Sequence, residues 1–359
     1  MKRLTFILVL LLALPATAVE PVSHFGKAQP ATLADLQPHL FGRESYSESW
    51  SHGVWDAQGK FLLGIDFMVT NLGVGDHKGA VSLELVDEKG KHSYCKKEYD
   101  DDEWKWSREV FRLDFGKNRL SGDTRRLQLV VECQQYRVEL TFDNQLPAAK
   151  PGGGKLSFGD EGNYWLVFTS PRSRVSGTVT SAGKTRRVSG IGYADHSRLT
   201  IAPYDMARRW FRFKHIVADS SLVMAAMETC EDFGHVLRGW ALYVDEAGQS
   251  LVTGQVNFAF SDYIRDSKSD AGYSIPRLVR FAAAGAGGQL LGTLRMTGLK
   301  EVRDPLARLG AIKRAIVRRY TKPRDYYINA NLKLKLLLAG APPRDVQHPV
   351  TFRYYYVNP

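Results

Sequence analysis

The stretch SGIGYADHSRL, residues 189–199, carries side chains suited to acid–base chemistry. Asp195 and His196 are residue types that often transfer protons in enzymes. If the stretch is a β-strand, successive side chains point to opposite faces, so Tyr193 and Asp195 share one face and His196 lies on the other. Asp195 therefore cannot orient His196 as a catalytic dyad, and we expect the two side chains in different environments.

The face that carries His196 is almost bare, because it also carries Gly190, Gly192 and Ala194. Glycines in a strand often mark a close approach by another group. That group is either an aromatic side chain of the protein or a ligand lying flat against the backbone. The sequence leaves both alternatives open.

Asp195 needs a cationic partner if it is buried, because an unpaired buried carboxylate is costly or shifts its pKa. Arg198, Arg208 and Arg209 are the nearby candidates. A structural ion pair at a domain junction is the interpretation that we favour for Asp195 over catalysis.

The rest of the chain predicts a mainly all-β protein. Residues 78–94 and 125–145 alternate apolar and polar side chains around short turns, as half-buried antiparallel strands do. Similar segments continue to the C-terminus. We predict two tandem antiparallel β-barrels, spanning residues 19–200 and 201–359, with one short amphipathic helix near the C-terminus. Small barrels of this kind can enclose a single ligand.

The predicted helix covers residues 304–320. It begins with Asp-Pro and places Leu309, Ile312, Ile316 and Tyr320 at helical spacing among basic residues. Packing on the outside of a barrel is the first interpretation. Contact with an anionic membrane surface is the alternative.

Residues 1–18 have the pattern of a cleavable signal peptide, with Lys2 and Arg3, a short apolar run and Ala-Thr-Ala ending at Ala18. We expect a periplasmic or secreted protein. The net charge of the 359-residue chain is +11, and loss of Lys2 and Arg3 lowers it to +9. An exported chain rarely meets nucleic acid, so an anionic membrane surface is the more plausible partner for this charge.

Cysteine and histidine usage predicts no metal site and no cofactor. Cys95 and Cys133 fall in the same predicted sheet and could pair in an oxidising compartment, which would leave Cys230 as a buried thiol. No spacing of Cys and His resembles a zinc site. We expect a monomer.

The opening stretch also carries a family resemblance. Gly190, Gly192, Tyr193, Asp195 and His196, followed by the strand ARRWFRFKHI with Arg209 and Trp210, resemble the tandem lipocalin-like proteins. That group includes bacterial carotenoid 1,2-hydratase and AttH proteins, fungal lipocalin-like pericyclases and eukaryotic survival-factor proteins. The resemblance implies two lipocalin-like barrels and a hydrophobic small molecule or lipid as partner.

The resemblance fails at residues that hydration chemistry would need. Ala194 replaces the first His of the hydratase pattern, and Ser197 and Arg198 replace its Asn-Trp pair. Only Tyr193, Asp195 and His196 therefore carry over, as polar groups at the junction of the two barrels. The ligand-binding or junction residues that we predict are Gly190, Gly192, Tyr193, Asp195, His196, Arg198, Arg209 and Trp210.

The sequence is consistent with three functions. The favoured one is an exported binding or carrier protein that holds a lipid or polyene in or between the barrels. The second is a cofactor-free hydratase, isomerase or cyclase, in which Asp195 or His196 moves a proton. The third is a structural module whose barrels are filled with side chains.

Overall fold

The computed structural model describes residues 22–72, 75–267 and 272–358. The predicted signal peptide lies outside these ranges. Within them, no helix combines the length and apolar character that crossing a bilayer requires.

Fourteen strands form the first sheet, which we call the first barrel. Its main path runs β5-β4-β3-β2-β14-β13-β10-β9-β8-β7-β6, while β12 and β11 pair with β13, and β1 pairs with β11. The strands are β1 (Gln29–Pro30), β2 (Ser47–Asp56), β3 (Phe61–Thr70), β4 (Lys78–Asp87), β5 (His92–Tyr99), β6 (Trp104–Ser107), β7 (Phe111–Phe115), β8 (Asn118–Gly122), β9 (Arg126–Cys133), β10 (Tyr136–Asn144), β11 (Ala149–Lys150), β12 (Lys155–Phe158), β13 (Gly162–Ser181) and β14 (Lys184–Leu199).

Nine strands form the second sheet, the second barrel, in the order β18-β17-β16-β15-β23-β22-β21-β20-β19. They are β15 (Ala207–Ile216), β16 (Ser220–Thr229), β17 (Leu237–Asp245), β18 (Ser250–Thr253), β19 (Val256–Arg265), β20 (Ser274–Gly285), β21 (Gly288–Arg303), β22 (Arg324–Leu338) and β23 (Arg344–Tyr356). One sheet forms a nearly closed barrel and the other a half-barrel, which confirms the predicted two-barrel, all-β fold.

Period-two patterning explains why these segments are strands. In β2 the side chains of Glu48, Trp50, His52 and Val54 are buried inside the first barrel, while the alternate residues are half-buried on its outer face. Aromatic side chains fill the interior. Those of the first barrel include Trp50, Phe67, Phe111, Phe115 and Phe142, and those of the second include Phe211, Phe213, Phe281, Phe352 and Tyr354.

The helices are short: α1 (Leu33–Leu36), α2 (Pro203–Met206) and α3 (Ala311–Val317), with 3-10 turns at Glu231–Phe233 and Pro305–Arg308. The prediction of one helix over residues 304–320 is wrong in extent. Leu309 is extended, at φ −83° and ψ 143°, and separates the 3-10 turn from α3. No residue of α3 is buried, whereas Leu306 in the preceding 3-10 turn is.

A disulfide joins Cys95 of β5 to Cys133 of β9, the pairing considered possible from the sequence. It links strands that lie far apart along the path of the first sheet. Cys230 is free, as expected, but it is half-buried rather than buried, and its thiol donates to the Asp205 carbonyl oxygen.

A third apolar core holds the barrels together. It combines first-barrel residues such as Tyr164, Phe168 and Tyr193 with Trp210 and Trp240 of the second. The N-terminal segment joins this core, because Phe25 packs with its ring centre 5.7 Å from that of Trp240. The first sheet ends at Leu199 and the second begins at Ala207.

Arg172 of β13 ties the first barrel to the loop between β15 and β16. Its guanidinium is buried and donates hydrogen bonds to the Val217 carbonyl oxygen (3.2 Å), the Ser221 hydroxyl (2.6 Å) and the Ala218 carbonyl oxygen (2.5 Å). The pairing of β13 with β14 is irregular between Val167 and Ser170 and again between Ser170 and Ser173, and Arg172 lies within the second irregularity. Bulges of this kind redirect side chains.

Candidate functional site

β14 divides its side chains between two environments. Ala194 and His196 point into the first barrel, whereas Tyr193 and Asp195 lie on its outer face toward the second barrel. Tyr193 is buried in the core shared by the two barrels. The neighbouring Asp195 and His196 therefore do not meet, as strand alternation predicts.

Protein atoms fill the bare face of β14. A methyl group added at Gly192 would lie 2.5 Å from Val175 and 2.6 Å from Phe142, and one at Gly190 would lie 2.3 Å from the Trp55 carbonyl oxygen. Of the two occupants that the sequence left open, the packed neighbour is present. Gly190 and Gly192 thus serve close packing inside the first barrel.

His196 belongs to a buried polar network. Its Nε2 lies 2.7 Å from Glu48 Oε1, its Nδ1 lies 2.8 Å from the Asp35 carbonyl oxygen, and its ring stacks on Trp50 with centres 4.5 Å apart. The Tyr46 hydroxyl donates to Glu48 at 2.5 Å. Both ring nitrogens of His196 are therefore engaged.

Glu48 is the anion at the centre of this network. Burial alone would raise its pKa, but hydrogen bonds with His196 and Tyr46 and the charges of His196 and Arg198 lower it. Arg198 places Nη1 3.8 Å from Glu48 and packs over the Trp165 ring at 4.1 Å. The Glu48 carboxylate is thus paired with His196 and Arg198, and we interpret the network as structural.

The recess beside this network has a volume of about 50 Å³ and is lined by Asp35, His39, Trp165, Val167, His196 and Arg198. That space suits water rather than an organic ligand, whose pockets measure roughly 300–1,000 Å³.

Asp195 pairs with Lys214, which corrects the expectation of an arginine partner. Lys214 Nζ lies 3.9 Å from Asp195 Oδ2 and 4.6 Å from the centre of the Tyr193 ring. The Tyr193 hydroxyl also donates to Asp195. The three arginines are engaged elsewhere, Arg198 with Glu48 and both Arg208 and Arg209 with Glu228.

A polar row continues from Asp195 across the outer face of the first barrel. Strand pairing aligns Asp195 with Ser51, Ser51 with Asp66, and Asp66 with Ser82. Ser51 and Ser82 both donate hydrogen bonds to Asp66. Burial nevertheless raises the pKa of Asp66, and the negative charge of Asp195 adds to the increase.

The second barrel faces this row with cations and aromatic rings. Arg353 lies over the rings of Tyr327 (5.7 Å) and Tyr355 (5.3 Å), and Arg303 lies over Tyr327 at 4.6 Å. Across the gap, Glu84 of β4 is close enough for its charge to act on both Arg303 and Tyr327. We call these two facing surfaces, with Asp195, Ser51, Asp66 and Ser82 on one side and Lys214, Arg303, Tyr327, Arg353 and Tyr355 on the other, the junction cleft.

The junction cleft is open to water yet surrounded by protein. The Lys214 side chain is 40% exposed, but the pKa of Lys214 is lowered, chiefly because neighbouring protein displaces water around it. Tyr193, on the cleft floor, has a raised pKa, mainly from burial. Titratable groups with shifted pKa values in a cleft are typical of functional sites.

The remaining predicted site residues lie apart from the junction cleft or beneath it. Arg209 points into the mouth of the second barrel, where Nε lies 2.6 Å from Glu228 and Nη1 lies 3.2 Å from the Tyr356 hydroxyl. An opening of about 370 Å³ adjoins these groups. Trp210 is buried in the core shared by the barrels.

No group of three or more His, Cys, Asp or Glu side chains in residues 22–72, 75–267 and 272–358 is arranged to hold a metal ion. The junction cleft itself carries carboxylate, ammonium, guanidinium and phenol groups.

Sequence reasoning missed Glu48, Asp66, Lys214 and Arg172. Two of them had a usable signal. Glu48 shares the apolar face of its strand with Trp50 and Val54, and Lys214 lies on the opposite face from Phe211 and Phe213, as Asp195 lies opposite Ala194. A charged residue on the apolar face of a strand, or on a face turned toward a second domain, indicates a buried polar site or a site at the domain junction.

Comparison with solved structures identifies the architecture. A protein of Nitrosomonas europaea assigned as an AttH superposes with TM-score 0.52 at 16% identity, over 87% of this chain and 93% of that one. CghA, crystallised with Sch210972, gives TM-score 0.54 at 9% identity over 93% and 99%. Kievitone hydratase from Nectria haematococca gives 0.52 at 13% identity over 94% and 98%.

This is the AttH-like, lipocalin-like fold. No protein-family model matches the sequence, and a search of curated proteins finds no significant match. At these identities the likeness extends to the fold. The likeness covers the arrangement of two barrels in tandem. The junction cleft is described from the residues of this chain alone.

Proposed function

We propose that this protein is an exported binding or carrier protein for a lipophilic small molecule, held in the junction cleft between its two barrels. The observation that carries the proposal is Lys214 of the second barrel, a partly exposed cation that lies 3.9 Å from Asp195 of the first. Clefts that combine apolar walls with a few polar groups are the usual sites for small molecules.

The side chains of the cleft suit a mainly apolar molecule that carries one polar group. Its aromatic side chains are Tyr327 and Tyr355, over whose rings Arg303 and Arg353 lie, and Trp55, which folds over Gly53 on the opposite wall. Lys214 can donate to a hydroxyl, carbonyl or carboxylate of the ligand, and Asp195 can accept from a hydroxyl. Side chains fill the interior of the first barrel, which supports a site outside that barrel.

Extraction of the protein purified from its native host, followed by mass spectrometry, tests the proposal. We expect a hydrophobic compound in stoichiometric amount, and Lys214→Met should carry several-fold less of it. Lys333→Met, on an exposed position of β22, is the matched control and should retain it. Repeated recovery of no ligand from folded wild-type protein would refute the proposal.

A second candidate function is proton-transfer catalysis on such a ligand, as in a cofactor-free hydratase or isomerase. The specific observation is that Asp66 has a raised pKa while it shares the cleft with Asp195. The two strands lie two spacings apart, or about 10 Å. Two carboxyl groups in different environments can divide the roles of acid and base.

In a hydration, protonated Asp66 would give its proton to one carbon of a double bond, and Asp195 would take a proton from the water that adds to the other carbon. Incubating the protein with a native-host lipid extract in ¹⁸O-labelled water should then yield a labelled adduct. Asp66→Asn should abolish the adduct while the extracted ligand remains bound. Equal labelling by Asp66→Asn would exclude this acid.

A further inference from the structure

The connection between β21 and β22 presents its apolar side chains to solvent. In and after α3, the side chains of Ile312, Ile316 and Tyr320 are 79%, 53% and 62% exposed. They recur at intervals of four residues, and Ile312 and Ile316 therefore lie on one face of the helix. We call Ile312, Ile316 and Tyr320, with Lys313, Arg314, Arg318, Arg319 and Lys322, the helical patch.

Leu306 of this connection is buried, and the Tyr320 ring centre lies 6.2 Å from that of Tyr204, whereas polar contacts fix α3 to the turn that precedes it. Arg314 donates hydrogen bonds to the carbonyl oxygens of Leu306, Ala307 and Leu309, and Arg318 pairs with Asp304 at 3.1 Å. A surface helix ordinarily buries its apolar stripe and exposes its polar face. Here the arrangement is inverted, which leaves the apolar stripe available to another surface.

The helical patch is also strongly basic. Residues 305–323 contain six Lys or Arg and no Asp or Glu. Lys313, Arg319 and Lys322 are exposed, and within the described parts of the chain no carboxylate forms an ion pair with them. A second copy of this chain would bring like charges together, so self-association through the patch is opposed.

We propose that the helical patch docks on a membrane surface that contains anionic phospholipid. Ile312, Ile316 and Tyr320 would enter the boundary between headgroups and acyl chains, while Lys313, Arg319 and Lys322 would contact phosphate groups. Interfacial helices combine apolar insertion with attraction of basic residues to anionic lipids in this way. The proposal stands apart from the proposed ligand, because vesicle binding and ligand content are measured separately.

Cosedimentation with vesicles tests the docking surface. The protein should bind vesicles of phosphatidylcholine and phosphatidylglycerol at least about tenfold more strongly than vesicles of phosphatidylcholine alone, and added salt should weaken binding. Ile312→Ser with Ile316→Ser should reduce binding about tenfold. The control pair, Val110→Ser with Leu291→Ser, removes exposed apolar groups elsewhere and should bind like wild type.

A second set of variants tests how much the basic residues contribute to vesicle binding. Lys313→Glu with Arg319→Glu should reduce binding at least about tenfold, whereas Lys333→Glu with Lys335→Glu changes the net charge equally and should have a much smaller effect. Similar losses in both pairs, or wild-type binding by the serine variants, would overturn the proposal. So would a concentration-dependent dimer in light scattering that the serine variants abolish.

Discussion

Lys214 of the second barrel holds its ammonium nitrogen 3.9 Å from the carboxylate of Asp195 in the first. The two barrels thus meet at a charge pair that water reaches, directly above the buried Tyr193. The apolar core shared by the barrels lies beneath this pair. The pair is the feature on which the proposed binding site rests.

The first prediction concerns the reactivity of Lys214. Because its pKa is lowered, a larger fraction of its amine is neutral near pH 8 than for an ordinary lysine, and amine-reactive reagents should acylate it faster than Lys333. Asp195 opposes this shift, so Asp195→Asn should accelerate acylation further. Peptide mass spectrometry measures both rates, and a slower reaction in Asp195→Asn would contradict the assigned pairing.

The second prediction concerns Glu48. Glu48→Gln removes a buried anion on which Tyr46, His196 and Arg198 converge, and should lower the free energy of unfolding by about 3 kcal/mol. Because the pKa of Glu48 is lowered in the folded state, its contribution is complete above about pH 4.5, the unfolded value, and is lost as pH falls through the folded pKa.

Urea unfolding across that pH range measures the effect. The Glu48→Gln variant should lose part of the acid sensitivity of the wild type. Glu139→Gln, on the exposed face of β10, is the control and should change neither the stability nor its pH dependence. Equal acid sensitivity in wild type and Glu48→Gln would disprove the role assigned to the carboxylate.

The third prediction concerns the link between barrels made by Arg172. Arg172→Met leaves the carbonyl oxygens of Val217 and Ala218 without their donor, and should cost about 3 kcal/mol of unfolding free energy. Arg174→Met, at an exposed position of the same strand, should cost little. Chemical denaturation measures both, and equal stabilities would show that the link contributes nothing.

The fourth prediction concerns the disulfide. Cys95 and Cys133 are 38 residues apart, and the loop-entropy relation gives about 4 kcal/mol for a closed loop of that size. The Cys95→Ser, Cys133→Ser double variant should therefore unfold at lower denaturant than wild type. Addition of a reductant to wild type should reproduce that change, while leaving the double variant unaffected.

Local sequence patterns predicted the strands, the opposite orientations of Asp195 and His196, and the possible cysteine pair, because each depends on alternation or sheet membership. The partners of these groups could not be predicted. Glu48 and His196 are 148 residues apart, and only the pairing of β2 with β14 brings them together. Lys214, and not one of the expected arginines, pairs with Asp195 because Lys214 lies on the outward face of β15, whereas Arg209 points inward.

The N-terminal segment contacts residues that follow more than 200 positions later in the chain. Residues 22–27 are synthesised early, but Arg238, which donates to the Val22 carbonyl oxygen, follows 216 residues later. Lys27 likewise pairs with Thr253. Tyr164, Phe168 and Tyr193 of the first barrel share a core with the second. A first barrel that folded before the second would expose this apolar face, and exposed apolar surface makes a folding intermediate prone to aggregation.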